Sequence, residues 1–316
     1  MTLGSIPGTW QPGDDPGDRL FAQLVERGQP AFTLENGETL SDLIVAYETW
    51  GTLNESRSNA VLVSHALTGD SHVSGPKGPG HLSVGWWDGL IGPGLAIDTD
   101  EFFVVCPNVL GGCQGTTGPS SQAGDGRAHG PRFPLITIRD QVAAEVALAD
   151  HLGIIRWFSV IGGSMGGMRS LEWSVGYPQR VERAVVLAVG AAASAEQIAL
   201  SSLQIRAIEA DPTFANGYYY ETGERPDEGL NIARGIGQLS YRTAQEFDIR
   251  FGRNSQGNED PLRGGRYAVE SYLEYQGDKL SVRFDANSYI TLSRAMNSHD
   301  VGRGRGGIAA ALRGVR

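Results

Sequence analysis

The sequence predicts an α/β fold with a mostly parallel sheet. Four short runs, 59–67 (NAVLVSHAL), 101–109 (EFFVVCPNV), 157–164 (WFSVIGGS) and 183–190 (RAVVLAVG), are apolar at both odd and even positions, the pattern of strands covered on both faces. Helical periodicity lies between the later runs. It is clearest at 137–153, where Val142, Val146, Ala149 and Leu152 form one stripe and Gly153 stands as a stop. Strand and helix therefore alternate along the chain.

Residues 1–30 are rich in Gly, Pro and Asp without periodicity and read as an N-terminal arm, so that regular structure is expected from Phe32. The core is expected over 31–190. It begins with strand candidates in FTLENGETL and LIVAYETWG, the first of them turning at Asn36-Gly37, a dipeptide favoured in tight hairpins. After Gly190 the texture changes: 191–297 carries helical stretches (SAEQIALSSLQIRAIEADP, EGLNIARGIGQLSYRTAQEF, GRYAVESYLEY) and no convincing strand, the pattern of an inserted lid. Residues 298–316 read as a return to the core, and no internal repeat is present.

Of 316 residues, 26 are Lys or Arg and 36 are Asp or Glu, a net charge of −10 with no basic block. Such a surface disfavours nucleic acid and suits small-molecule chemistry. No apolar run reaches the length of about eighteen residues needed for a membrane span, and the first residues lack a basic segment followed by an apolar one; a soluble cytoplasmic protein is expected. The two cysteines, Cys106 and Cys113, have neither zinc nor redox spacing and are read as reduced thiols, with no metal expected.

The chemistry-bearing motif is Gly162-Gly163-Ser164-Met165-Gly166, a G-x-S-x-G turn placed after an apolar strand and before the helical stretch MRSLEWSVG. Such a turn holds its serine in strained backbone and needs glycines where strand and helix meet, a need met by Gly162, Gly166 and Gly167. Ser164 is therefore the candidate nucleophile. The Met165 N–H, at the positive end of the following helix, is the candidate oxyanion donor, and the Leu67 N–H in HALTGD (65–70) is the second. A phosphate-cradling loop would require a different glycine order. In α/β-hydrolases the activating residues follow the serine as an acid and then a histidine; His299 alone follows Ser164, in a helical pattern that reads as a surface or helix-end residue rather than a base. His65 reads as a brace of its loop and His151 as a helix-end residue.

With GWWDGLIGPGLAIDTDEFFVVCPNVLGGCQGTTGP (85–119), FPLITIRDQV (133–142), GGSMGGMRSLEW (162–173) and FDANSYITLSRAM (284–296), the chain resembles the homoserine O-acetyltransferases from about Phe32 to its last residues. The resemblance implies an α/β-hydrolase fold with a helical lid. It implies transfer of acetyl from acetyl-CoA to the L-homoserine hydroxyl by a ping-pong route through an acyl-Ser164, in methionine biosynthesis. No bound cofactor is implied, acetyl-CoA being a substrate, and two copies are expected to pair through the lid. Arg234 matches the arginine that holds the homoserine carboxylate, and Tyr241 and Thr68 match positions near the bound amino acid. Arg169 and Gln238 depart from the expected glutamine and histidine, and His299 from an aromatic.

The resemblance also implies, beyond GIAAALRGVR, a seventh strand bearing an aspartate and an eighth followed by a histidine loop. Without them the run at 183–190 would be an unpaired edge, and the expectation is a truncated acyltransferase whose turnover lacks those two residues. The alternatives are a succinyl-CoA-dependent homoserine or serine acyltransferase, a simple esterase, and a catalytically inactive hydrolase-like binding protein.

Overall fold

A computed structural model describes residues 6–315, so Met1–Ser5 of the arm and Arg316 of the last segment lie outside the described residues. Strand β1 (Leu20–Val25) is followed by the hairpin of β2 (Phe32–Thr33) and β3 (Thr39–Leu40), then by β4 (Leu43–Trp50), β5 (Ala60–Ser64), the small pair β6 (Ile91–Gly92) and β7 (Ile97–Asp98), and β8 (Phe103–Pro107). Helix α1 (Ile138–His151), β9 (Ser159–Gly163), α2 (Met165–Gly176) and β10 (Ala184–Leu187) complete the alternation. The main sheet runs β1-β4-β8-β5-β9-β10, antiparallel through β1 and β4 and parallel from β8 onward.

Several expectations change. Regular structure begins at β1, before Phe32, because Leu20 pairs with Tyr47 and Phe21 with Ala46. As an edge strand it buries Ala22 while Leu20 and Phe21 remain exposed, so its sequence lacks the signal of two-sided burial. The arm before it is packed: Trp10 N–H donates to Cys113 O at 2.9 Å and the Trp10 ring lies 4.5 Å from that of Phe21. β10, whose apolar composition suits cover on both faces, is largely exposed and has β9 as its one hydrogen-bonded neighbour among the described residues, the unpaired edge expected of the run at 183–190. The α1 stripe is wider than its apolar residues suggest, with Val142 and Ala149 buried, Val146 and Leu152 half-buried, and the polar Gln141 and Glu145 fully inside.

Helix α1 starts with a reciprocal cap between Thr137 and Asp140 and ends where Gly153 takes φ +69°. Residues 191–297, expected as a lid, are helical in their main elements: α3 (Ala195–Glu209), α4 (Asp227–Ser240), α5 (Ala244–Arg250), α6 (Ala268–Ser281) and α7 (Ala286–Asn297). The single stretch expected across 228–247 is two helices, because Thr243 leaves helical geometry to cap α5. After α7, Ala192 bridges Asp300, Val301 N–H donates to Ala191 O at 3.0 Å, and Arg305 grips Glu172 of α2 at 2.5 and 2.9 Å before α8 (Ile308–Leu312).

One apolar cluster joins the sheet to α1 and α2 through Leu62, Leu148, Trp157 and Trp173, and a second ties Leu67, Met165 and Met168 to the lid residues Ile205, Leu230 and Tyr289. Among the described residues no helix is long and apolar enough to cross a membrane.

Candidate active site

Ser164 sits between β9 and α2 with φ 56° and ψ −124°, a conformation L-residues rarely take. The surroundings enforce it. Ser164 N–H donates to Leu187 O at 3.0 Å, and strand and helix approach so closely that a Cβ on Gly166 would lie 1.9 Å from Ser64 O, on Gly162 2.3 Å from Gly166 O, and on Gly167 2.7 Å from Leu187 O. The serine is exposed, and its Oγ makes no hydrogen bond among the described residues.

Met165 opens α2, so its N–H has no acceptor within the helix. Leu67 lies in a turn closed by Gly69 N–H donating to Ala66 O at 2.9 Å, and its own N–H takes no acceptor among the described residues. His65 braces this turn. Its Nε2 accepts the Val109 N–H at 3.1 Å, which places the ring proton on Nδ1, and Nδ1–H donates to Ala66 O at 2.8 Å. Full burial, with the Arg169 charge nearby, lowers the His65 pKa to about 3 and keeps the ring neutral.

Beneath the elbow lies an internal ion pair. Arg169, wholly buried on α2, donates to Glu145 of α1 at 2.6 Å and to His65 O at 2.5 Å, and Trp173 Nε1 donates to the other Glu145 oxygen at 2.7 Å. Burial pushes the Glu145 carboxyl up and the Arg169 charge opposes it.

Ser164, Leu67, Thr68, Arg234 and Tyr241 line one cavity of about 980 Å³, together with Glu196 and Arg242 at the lid. Arg234, half-buried on α4, has its guanidinium 5.9 Å from the Tyr241 ring centre. With the Gln238 amide assigned so that its oxygen faces Arg234, that oxygen accepts from Nε at 3.1 Å and from a terminal nitrogen at 2.8 Å, while the amide nitrogen meets the Tyr272 hydroxyl at 3.0 Å. Gln238 thus orients Arg234 without neutralising it. Thr68 is held by its carbonyl, which accepts from Arg283 at 2.7 Å. Tyr241, at the α4 C-terminus, is exposed.

His299 is buried rather than on the surface. Its Nε2 meets Gly190 O at 3.0 Å and its carbonyl accepts the Ala193 N–H, so it ties the end of α7 to the start of the lid. His151 ends α1, as expected.

The sequence reading missed a buried cluster of Glu48, His72 and His81, whose potential ligand atoms lie within 4.8 Å of one another. The His72 and His81 rings stack at 3.8 Å and 11°, so their in-plane lone pairs run side by side and do not converge on one ion. Both His72 nitrogens face oxygens, Glu48 at 3.0 Å and Pro76 O at 3.1 Å, the arrangement of an imidazolium. His81 Nε2 already accepts the Asp18 N–H at 3.1 Å. His72 is bonded to Glu48, and His81 anchors the arm through the Asp18 N–H. The three members of the cluster lie far apart in sequence, with no ligand spacing to reveal them.

The chain matches the α/β hydrolase fold family over residues 59–290. It is 61% identical over 309 residues to the homoserine O-acetyltransferase of Thermobifida fusca, a match covering 98% of this chain and 80% of that protein. The crystal structure of homoserine O-acetyltransferase from Bacillus anthracis is similar at a TM-score of 0.83 and 31% identity, over 94% of this chain and 80% of that one. That of esterase E22 is similar at 0.81 and 30%, over 94% and 82%. Two enzyme names share this backbone almost equally, and the sequence identity separates them: the chain belongs to the homoserine O-acetyltransferase family.

Proposed function

We propose that the chain transfers acetyl from acetyl-CoA to the hydroxyl of L-homoserine through an acyl-enzyme on Ser164. The observation that carries this reading is the shared cavity, whose lining includes both an exposed, strained serine and Arg234. Ser164 Oγ attacks the thioester carbonyl, the C–S bond breaks, and coenzyme A leaves as the thiol with the serine proton. The Met165 and Leu67 N–H groups hold the oxyanion, each worth about 3 kcal/mol when well placed. Arg234 binds the homoserine carboxylate with its planar fork, and Thr68 and Tyr241 orient the amino acid. The homoserine hydroxyl then attacks the acyl carbon, its proton passing to Ser164 Oγ as the serine ester breaks.

The proton acceptor implied by the resemblance is not assigned to any of the six histidines: none bonds Ser164 among the described residues, and His65 and His299 are engaged elsewhere. Incubation with acetyl-CoA and mass analysis tests the nucleophile. The expected result is a gain of about 42 Da on the Ser164 peptide, absent in Ser164→Ala and discharged by homoserine to O-acetylhomoserine. No adduct would leave a binding protein. Discharge by water as fast as by homoserine would make the chain an esterase, the second reading, which the likeness to esterase E22 favours.

A further inference from the structure

The Leu67 N–H can serve as an oxyanion donor only if the peptide joining Ala66 and Leu67 is held still, and its other end shows what holds it. The Ala66 carbonyl, in the same peptide plane, accepts from both Gly69 N–H and His65 Nδ1–H. His65 is fixed in turn at its ring by Val109 and at its own carbonyl by Arg169. Arg169 belongs to the first turns of α2, the helix that carries Met165, and its charge is balanced by Glu145 of α1, which Trp173 also holds.

We infer that Arg169 is a positioning residue for acyl transfer: by gripping the His65 carbonyl from the nucleophile's own helix, it fixes the Leu67 donor relative to the Met165 donor and Ser164. Two donors on separate chain segments make one oxyanion hole only while their spacing is kept, and this contact links the segments through a side chain that never touches substrate. A buried pair is a poor source of net stability, since an apolar pair of similar volume often serves as well. Its geometry is the better reason for it. One Arg169 nitrogen goes to the counter-ion and another to the loop, a division that the fork of a guanidinium permits and a single ammonium does not. The inference rests on the acyltransferase reading for its kinetic consequence and stands apart from it for its structural one.

The test is the double variant Arg169→Met/Glu145→Gln, which removes both buried charges and keeps an oxygen for Trp173, assayed in the full chain. The expected result is a kcat about 10²-fold lower, the scale of one lost oxyanion donor, with KM for both substrates within about twofold. Amide exchange at Gly69 and Val109, which bond the loop, is expected to rise about tenfold while β9 stays protected. If the double variant does not fold, Arg169→Lys carries the test: it keeps the charge but loses the second arm of the fork, and faster exchange at the same two amides is expected. Native exchange at Gly69 and Val109, or a raised KM with kcat unchanged, overturns the inference. Should the unaltered chain form no O-acetylhomoserine, the activity reading fails and the exchange measurement still decides the role of Arg169.

Discussion

β5 and β10 flank the nucleophile strand β9, both parallel to it, and both come from runs that are apolar at every parity. All five residues of β5 are buried; of the four in β10, Ala184, Val185 and Leu187 are exposed, the two larger ones by 41% and 42%. β5 has β8 on its other edge, and Val61 and Val63 pack among Val73, Ile91 and Val104; β10 has one hydrogen-bonded neighbour among the described residues. Burial is a property of what lies beside a strand, which its own residues cannot state. The candidate site shares the asymmetry. Its β5 side carries the proposed oxyanion loop, held by enclosed hydrogen bonds, and its β10 side leads through Ala188, itself at φ 51°, to the helical segment that carries Arg234.

The largest expected contrast lies in the backbone contacts. Gly166→Ala would place a methyl 1.9 Å from Ser64 O, in a strand paired on both edges and unable to yield. We expect a loss of at least ~3 kcal/mol in urea unfolding and no acetyl adduct on Ser164. Gly190→Ala, beyond β10, meets the Ala192 carbonyl oxygen at 3.2 Å, a tight contact that a shift of a few tenths of an ångström relieves, and should cost no more than about 1 kcal/mol. Equal effects of the two changes would end the distinction between a closed and an open side.

A matched pair sharpens it next. Val63 is fully buried and Val185 is 41% exposed, yet each is a valine on a strand parallel to β9. Val63→Ala should cost about 2 kcal/mol through the lost methyls and the cavity left behind, whereas Val185→Ala should stay within about 0.5 kcal/mol. Equilibrium unfolding of both gives the comparison directly, and a Val185 cost matching that of Val63 would show that β10 is covered in solution.

The same division marks what the sequence made legible. The elbow could be read because its chemistry is local: Gly162, Ser164 and Gly166 must stand within five residues of one another, after an apolar strand. The parallel strands, the Asn36-Gly37 hairpin and the lid helices followed from periodicity and turn residues. β1 escaped because an edge strand has little to bury. The exposure of β10 was legible only through the resemblance, because its own apolar residues read as a strand covered on both faces. Glu145 escaped for a related reason. A carboxylate inside an otherwise apolar helix stripe reads as surface until Arg169, on another helix, is seen opposite it. Arg169 was noticed as a departure at its position, but its partners are the His65 carbonyl and a residue 24 positions away, which no motif records.

The lid side offers the smallest and most selective test. Arg234 is half-buried, and Gln238 and Tyr241 orient it without cancelling its charge, so a carboxylate in the cavity would gain a charge-assisted contact that water partly screens. Arg234→Ala should raise the homoserine KM about tenfold, near the lower limit for a hydrogen bond to a charged partner. Arg234→Lys should raise it less, keeping charge but not the fork. In the proposed reaction the first half uses only the elbow and the β5 loop, so the rate of acetyl-adduct formation on Ser164 should match the parent in both variants. A slowed first half-reaction would mean that the lid arginine also touches the acyl donor, and the two sides of β9 would then share both substrates instead of dividing them.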